Sequence, residues 1–263
     1  MYACSRRRSR TVDRGTDAWA GRDVMANGKE ALVLLPGLLC DRAVWRHQLE
    51  TLSDVADCNS IDWGDEDSLV EMARAALRQA PDRFWLAGHS MGGRVALEVF
   101  RLAPRRVARI ALFDTGYLPR PKNAAGEEEE RGRLALLAVA RSEGMRAMAA
   151  QWLPPMIHPA RRTDPALVDA IIEMMARKTP DIFGAQIRAL LARPDATEVL
   201  EQIGCPALLL TGREDDWSPP ARHAEMAAKI PESTLVVIPE CGHMSVMERP
   251  SEVTAAMRLW LDR

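Results

Sequence analysis

The sequence predicts an α/β fold: a mostly parallel central sheet with helices on both faces, and an all-helical cap inserted late in the sheet. From residue 30 onward, short apolar runs of strand length alternate with segments of helical periodicity. The alternation stops between residues 119 and 204, where only helical patterns occur. We therefore expect a core formed by residues 27–118 and 205–263, with a helical cap at residues 119–204.

The core elements follow from apolar patterning and from the turn residues that end each run. The predicted strands are residues 31–35, 57–63, 83–87, 109–113, 207–211 and 234–238. The predicted helices are residues 43–52, a segment that Ser68 caps and that runs to residue 80, residues 94–100, and residues 251–261. Strands separated by helices indicate parallel pairing.

The cap contains four predicted helices. The first follows the acidic run at residues 127–130 and ends at Ser142, and the second covers residues 145–153. The third and fourth begin at Asp164-Pro165 and Thr179-Pro180, where an N-cap residue precedes a proline. We interpret the acidic run as a solvent-exposed helix start, because carboxylates stabilise the positive end of a helix dipole.

The N-terminal segment differs from the rest of the chain. Residues 1–26 carry six arginines and no apolar segment of the kind found in signal peptides. This composition predicts a disordered basic tail. A basic arm for an anionic surface is the alternative, and Met25 is a candidate natural start.

Charge and cysteine usage narrow the function classes. A formal net charge of −2 gives no electrostatic basis for binding nucleic acid, and no apolar stretch has the length of a membrane span. The five cysteines are widely scattered and lack zinc-ligand spacing; they are Cys4, Cys40, Cys58, Cys205 and Cys241. This usage favours a reducing compartment and a cytoplasmic location. We expect no metal and no cofactor, because the sequence contains no P-loop, dinucleotide fingerprint or metal-ligand cluster.

The most informative motif is Gly88-His89-Ser90-Met91-Gly92, between a predicted strand and a predicted helix. In this context the pattern is typical of a nucleophile elbow, whose serine adopts a strained backbone conformation. Glycines at 88 and 92 let strand and helix approach closely. A glycine-rich turn whose serine merely caps the helix is the alternative.

Two downstream segments complete a resemblance. Gly212 to Pro219 and Pro239 to Met244 each follow a late strand. With the elbow, they make residues 30–261 resemble an α/β-hydrolase with a helical cap, similar to carboxylesterases and acyl-carrier methyl ester esterases. The resemblance implies that Ser90 is the nucleophile, Asp215 the acid and His243 the base. Asp216 and Asp114 stay open as alternative acids.

The resemblance also implies an oxyanion hole. Its donors would be the backbone N–H groups of Met91 and Leu38. Relatives usually carry His-Gly before the second donor, whereas this chain has Pro36-Gly37. A plain strand-ending turn is the alternative for that loop.

The expected activity is hydrolysis of a small carboxylic ester or thioester through an acyl-enzyme on Ser90. Two alternatives stay open, hydrolytic C–C cleavage by the same triad and a non-catalytic binding protein on the same fold. Apolar cap residues are candidates for the pocket wall, namely Met145, Met148, Trp152, Met156, Ile157, Met174, Met175 and Phe183. Cap arginines are candidates for holding a substrate carboxylate or an acidic carrier protein, namely Arg141, Arg146, Arg161, Arg162, Arg177 and Arg188.

Overall fold

A computed structural model describes residues 28–262 of the protein. The predicted tail at residues 1–26 therefore lies outside the described residues. Within them, six strands form one sheet in the order β2-β1-β3-β4-β5-β6, and every pairing is parallel. The strands are β1 (Ala31–Leu35), β2 (Asp57–Ser60), β3 (Phe84–His89), β4 (Val107–Phe113), β5 (Ala207–Gly212) and β6 (Ser233–Ile238). The predicted fold class is confirmed.

One strand is shorter than predicted. The apolar pattern extends to Trp63, but β2 ends at Ser60. Asp62 instead forms a turn, in which its carboxylate accepts a hydrogen bond from the N–H of Gly64 at 3.0 Å. Gly64 has a φ of 64°, so the chain leaves the extended conformation at this point.

Helices cover the sheet. They are α1 (Arg46–Thr51), α2 (Leu69–Gln79), α3 (Met91–Leu102), α9 (Pro220–Ala227), α10 (Ser245–Glu248) and α11 (Pro250–Leu261). Helix α1 is preceded by a 3-10 turn, so the helix predicted at residues 43–52 consists of two pieces. The sequence did not predict α9, which begins without a side-chain N-cap, or α10, which is a single turn. No helix within residues 28–262 is long and apolar enough to cross a membrane.

Five α-helices lie between β4 and β5, and we call residues 119–204 the helical insertion. They are α4 (Ala124–Ser142), α5 (Met145–Trp152), α6 (Pro165–Ala176), α7 (Pro180–Leu191) and α8 (Thr197–Gln202). Asp164 and Thr179 cap α6 and α7 as predicted, each accepting a backbone N–H. Helix α8 is short and was not predicted.

The start of α4 differs from the prediction. Asn123 is the N-cap, and its side chain accepts from the N–H groups of Ala125 and Gly126. The acidic run therefore begins at the end of the first turn. Glu129 within it is half-buried and paired with Arg133 and Arg193, so it is not a solvent-exposed charge.

The insertion is held over the loops that follow β1 and β2. Arg177 pairs with Asp41 at 2.8 Å, Lys178 pairs with Asp62, and Arg188 pairs with Asp67 at 3.2 Å. These loops leave the carboxyl edge of the parallel sheet, where α/β folds place their sites. The insertion therefore covers that edge.

Candidate active site

Ser90 occupies the sharp turn between β3 and α3. Its φ of 53° and ψ of −115° form a conformation that residues with a side chain rarely adopt. A Cβ at Gly88 would lie 2.3 Å from the carbonyl oxygen of Gly92, and a Cβ at Gly92 would lie 2.2 Å from that of Leu35. The two glycines are thus required by close backbone packing, as the motif predicts.

His243 links Ser90 to Asp215. Its Nδ1 lies 2.9 Å from Asp215 Oδ2, and its Nε2 lies 2.8 Å from Ser90 Oγ. A carboxylate can only accept, so the neutral ring carries its proton on Nδ1 and Nε2 is free to accept from the serine hydroxyl. The structure therefore brings together the three residues that the sequence singled out, although they come from three different loops.

The environment of Asp215 and His243 sets their charges. Burial raises the pKa of Asp215, but the facing His243 and the N–H groups of Trp217 and Ser218, each 2.9 Å from Oδ1, outweigh it and hold that pKa below 3.8. Burial lowers the pKa of His243, but the charge and hydrogen bond of Asp215 outweigh it and raise that pKa above 6.5. Asp215 is thus a carboxylate that stabilises a protonated His243.

Neither alternative acid takes the place of Asp215 beside the ring of His243. Asp216 is exposed. Asp114 is buried, and its carboxyl group accepts from the N–H of Gly212 at 3.1 Å and from the hydroxyl of Ser245. Burial, and then the charge of Asp215, raise the pKa of Asp114 well above its usual value. Neither side chain makes a hydrogen bond to the ring of His243.

His89 makes a hydrogen bond to the loop that carries His243, which we call the histidine loop (residues 239–244). Its Nε2 lies 2.8 Å from the backbone carbonyl of His243, which can only accept, so Nε2 carries the proton. Burial, and then the nearby His243, lower the pKa of His89 to about 3. His89 is therefore neutral, and its 3.5 Å approach to Asp114 is not an ion pair.

The two residues expected to supply the oxyanion hole both lie at the cavity that contains Ser90. Leu38 and Met91 line the cavity above the serine, and their N–H groups make no hydrogen bond to another described residue. The adjacent Leu39 has a φ of 59°, and its N–H donates to Oε1 of Gln186 in α7 at 2.8 Å. The buried Gln186 thus fixes the loop that carries Leu38.

The histidine loop is also held by the insertion. The N–H of His243 donates to the carbonyl of Met156 at 2.7 Å. The buried Glu248 accepts from the N–H of Gly242 at 2.9 Å and from that of His158 at 2.8 Å. Sequence reasoning missed Gln186 and Glu248, because both act through contacts between distant segments and belong to no motif.

A cavity of about 640 Å³ opens at Ser90 and His243. Part of the cavity wall is aromatic. The ring centroids of Trp217 and His243 lie 5.0 Å apart, and the ring of Trp152 stacks on that of Trp217 with a centroid distance of 5.5 Å. Of the apolar candidates from the sequence, Trp152, Met156 and Met175 line this cavity. The other candidates are buried but do not line the cavity.

Charged residues form another part of the cavity lining, which we call the basic wall because its arginines outnumber its carboxylates. It contains Arg94, Arg133, Arg193 and Arg222 together with Glu128 and Glu129. None of the six arginines that the sequence singled out is among them. Four of those six make ion pairs elsewhere, such as the pair between Arg146 and Glu173. Within residues 28–262, no group of three or more His, Cys, Asp or Glu side chains is arranged to hold a metal ion.

Comparison with known proteins places this chain in a family. Residues 32–257 match the family model described as the alpha/beta hydrolase family. The chain belongs to this family, and it is a hydrolase. The resemblance that the motifs indicated is confirmed.

Individual relatives are similar over most of their length. A pimeloyl-(acyl-carrier protein) methyl ester esterase of Nitrosomonas europaea is 25% identical over an alignment of 256 positions, which covers 88% of this chain and 94% of that protein. A thermophilic esterase from Thermogutta terrifontis, solved with malate bound, has a TM-score of 0.78 and 31% identity, and the match covers 89% of this chain and 90% of that one. A 2-hydroxy-6-oxononadienedioate/2-hydroxy-6-oxononatrienedioate hydrolase of Burkholderia vietnamiensis is 24% identical over an alignment of 277 positions, which covers 90% of this chain and 88% of that protein.

Proposed function

We propose that the protein hydrolyses small carboxylic esters or thioesters through an acyl-enzyme on Ser90. The observation that carries the proposal is the chain of two hydrogen bonds from Ser90 Oγ through His243 to Asp215. A serine hydroxyl at its ordinary pKa is a weak nucleophile, so it needs a base within hydrogen-bond reach. His243 is such a base.

Acylation begins when Ser90 Oγ attacks the carbonyl carbon of the ester and His243 Nε2 takes the hydroxyl proton. The carbonyl oxygen becomes an oxyanion, which accepts hydrogen bonds from the N–H groups of Leu38 and Met91. His243 then returns the proton to the leaving alkoxide or thiolate, which departs as an alcohol or thiol. Asp215 stabilises the imidazolium in between and keeps the ring in the required tautomer.

Deacylation repeats these steps with water. His243 takes a proton from the water molecule as its oxygen attacks the acyl carbonyl, and the same two N–H groups stabilise the second oxyanion. His243 then protonates Ser90 Oγ, which leaves. The carboxylic acid is released and the serine hydroxyl is restored.

The helical insertion acts as the cap of this site. It contributes Trp152, Met156 and Met175 to the cavity wall, and it holds the loops of both Leu38 and His243 through Gln186 and Met156. Closing the site in this way excludes water, which strengthens the hydrogen bonds to the oxyanion.

The similar proteins support an ester as the scissile bond. The relatives from Nitrosomonas europaea and Thermogutta terrifontis are both named esterases. Cleavage of a C–C bond is the second candidate, because the relative from Burkholderia vietnamiensis carries the name of a dienedioate hydrolase. The same base and oxyanion donors serve either reaction.

A panel of substrates tests the proposal. Short p-nitrophenyl esters, acyl-thioesters and a ring-cleavage diketone are assayed with the wild type, Ser90→Ala and the exposed control Ser142→Ala. We expect ester or thioester turnover by the wild type and the control, and none by Ser90→Ala. Turnover of the diketone alone would select C–C cleavage, and activity retained in Ser90→Ala would reject the mechanism.

A further inference from the structure

We propose that the basic wall of the cavity binds a free carboxylate of the substrate, so that the preferred substrates are half-esters of dicarboxylic acids. This inference rests on the proposed ester hydrolysis, and it adds a second recognition group to that reaction. It depends on Arg94 and Arg222, which belong to α3 and α9 of the core.

Arg94 lies one helical turn after Ser90 on α3. Its backbone N–H donates to the carbonyl of Ser90, and both side chains line the cavity. Residues four apart on a helix lie on one face. A carboxylate bound at Arg94 would therefore be only a few carbon atoms away from an ester carbonyl held at Ser90. The two ends of a small half-ester have this separation.

The guanidinium of Arg94 has no carboxylate partner in the described part of the chain. Its side-chain hydrogen bond goes to the carbonyl of Leu118 at 3.0 Å, which satisfies one of its five N–H groups. Arg222 is similar, since it donates to the carbonyl of Trp217 at 2.6 Å and makes no ion pair with another described residue. Two guanidinium groups thus face the cavity with charge that no protein carboxylate neutralises by direct contact.

Gly116 leaves room for the two arginines to lie side by side. A Cβ at this position would lie 2.9 Å from Nη2 of Arg94 and 3.1 Å from Cδ of Arg222. Both side chains therefore flank the same short stretch of backbone. Two guanidinium groups converging on one space form the arrangement that recognises a carboxylate.

The rest of the basic wall adds positive charge. Arg133 and Arg193 pair with Glu129 at 2.9 Å and 2.6 Å, so two guanidinium groups share one carboxylate. Burial, and then the charges of Arg193 and Arg222, lower the pKa of Arg94 to about 9, so Arg94 is still charged at neutral pH. Positive charges held this close repel one another, and a bound anion relieves that repulsion.

Matched esters provide the first test. We compare kcat/KM for two substrates, mono-p-nitrophenyl glutarate and p-nitrophenyl valerate. Their acyl chains have equal length, but only the glutarate chain ends in a carboxylate. The measured quantity is the ratio of kcat/KM for the glutarate to that for the valerate. We expect the wild type to favour the half-ester by about tenfold or more, as for a charged hydrogen bond. Arg94→Gln and Arg222→Gln should each bring the ratio towards one. The surface control Arg146→Gln should keep it.

A binding measurement separates this inference from the proposed reaction. Calorimetry with Ser90→Ala compares the binding of monomethyl glutarate with that of dimethyl glutarate. We expect the half-ester to bind more tightly, and we expect this difference in affinity to disappear when Arg94→Gln is added to Ser90→Ala. If the half-ester binds but no ester is hydrolysed, the carboxylate site stands and the proposed reaction fails. If both p-nitrophenyl esters are hydrolysed at equal kcat/KM, or if the preference survives both glutamine variants, the carboxylate site is rejected. Melting temperatures identify a variant that fails to fold, in which case the other variant decides.

Discussion

Gln186 accepts a hydrogen bond from the backbone N–H of Leu39 at 2.8 Å, although 147 residues separate them in the chain. Gln186 belongs to the helical insertion, whereas Leu39 follows the first strand of the sheet. This bond holds the loop that contains Leu38, the proposed oxyanion donor that lines the cavity. Gln186 is therefore a positioning residue, which acts on the proposed oxyanion hole without touching the substrate.

Gln186→Met tests this role. The substitution keeps the length of the side chain but removes the acceptor, so the N–H of Leu39 loses its partner and the loop shifts. We expect kcat to fall about tenfold, less than when an oxyanion donor is removed outright, and KM to change little. The exposed Gln151→Met is the matched control. A lower melting temperature with unchanged kcat, or a rise in KM alone, would mean that Gln186 does not position the oxyanion loop.

Alanine substitutions at two glycines should change the free energy of unfolding in opposite directions. Gly92→Ala places a Cβ 2.2 Å from a backbone oxygen of Leu35, which cannot move without disrupting β1. We expect it to lower the free energy of unfolding by about 3 kcal/mol. Gly132→Ala lies inside α4 with nothing within 4 Å of the new Cβ, so it should raise that free energy by up to about 1 kcal/mol. Chemical denaturation measures both, and equal effects would contradict the packing at the elbow.

Three asparagine variants test which carboxylate is the acid of the triad. Asp215→Asn removes the charge that stabilises protonated His243 and favours the wrong tautomer, so kcat should fall by ~10³–10⁴-fold. Asp216→Asn should have almost no effect, because its side chain is exposed. Asp114→Asn should mainly lower the melting temperature, because the carboxyl group is buried among its own hydrogen bonds. A larger loss of kcat for Asp114→Asn than for Asp215→Asn would reverse the assignment.

The pH profile reports on His243. The ring must be neutral to accept the proton of Ser90, so kcat/KM falls as pH drops through the pKa of His243. Because Asp215 raises that pKa above 6.5, the midpoint of the acidic limb should lie above pH 6.5. In Asp215→Asn the raising charge is lost and burial lowers the pKa, so the midpoint of the residual activity should move to lower pH. A midpoint that does not move would show that another group controls the limb.

The sequence predicted the elements whose causes are local. Apolar runs marked the strands, and Asp164 and Thr179 marked two helix starts because a cap acts within one turn. Ser90 was found because its strained turn needs glycines at fixed spacing. The end of β2 was misplaced, since the turn at Asp62 depends on the conformation of Gly64.

Contacts between distant segments could not be predicted. Gln186 and Glu248 support the site from other elements, and no spacing in the chain marks them. The basic residues of the cavity were sought in the insertion. Arg94 and Arg222 instead come from the core, and only the folded chain shows that both approach Gly116.

The most direct test of the account is covalent labelling by a fluorophosphonate, which reacts with a serine only where a base activates it. Peptide mapping of the labelled wild type should find the adduct on the peptide that contains Ser90. Ser90→Ala should show no adduct while its melting temperature stays close to that of the wild type. Labelling that persists in folded Ser90→Ala, or an adduct on a different residue of the wild type, would contradict the central claim that Ser90 is the nucleophile.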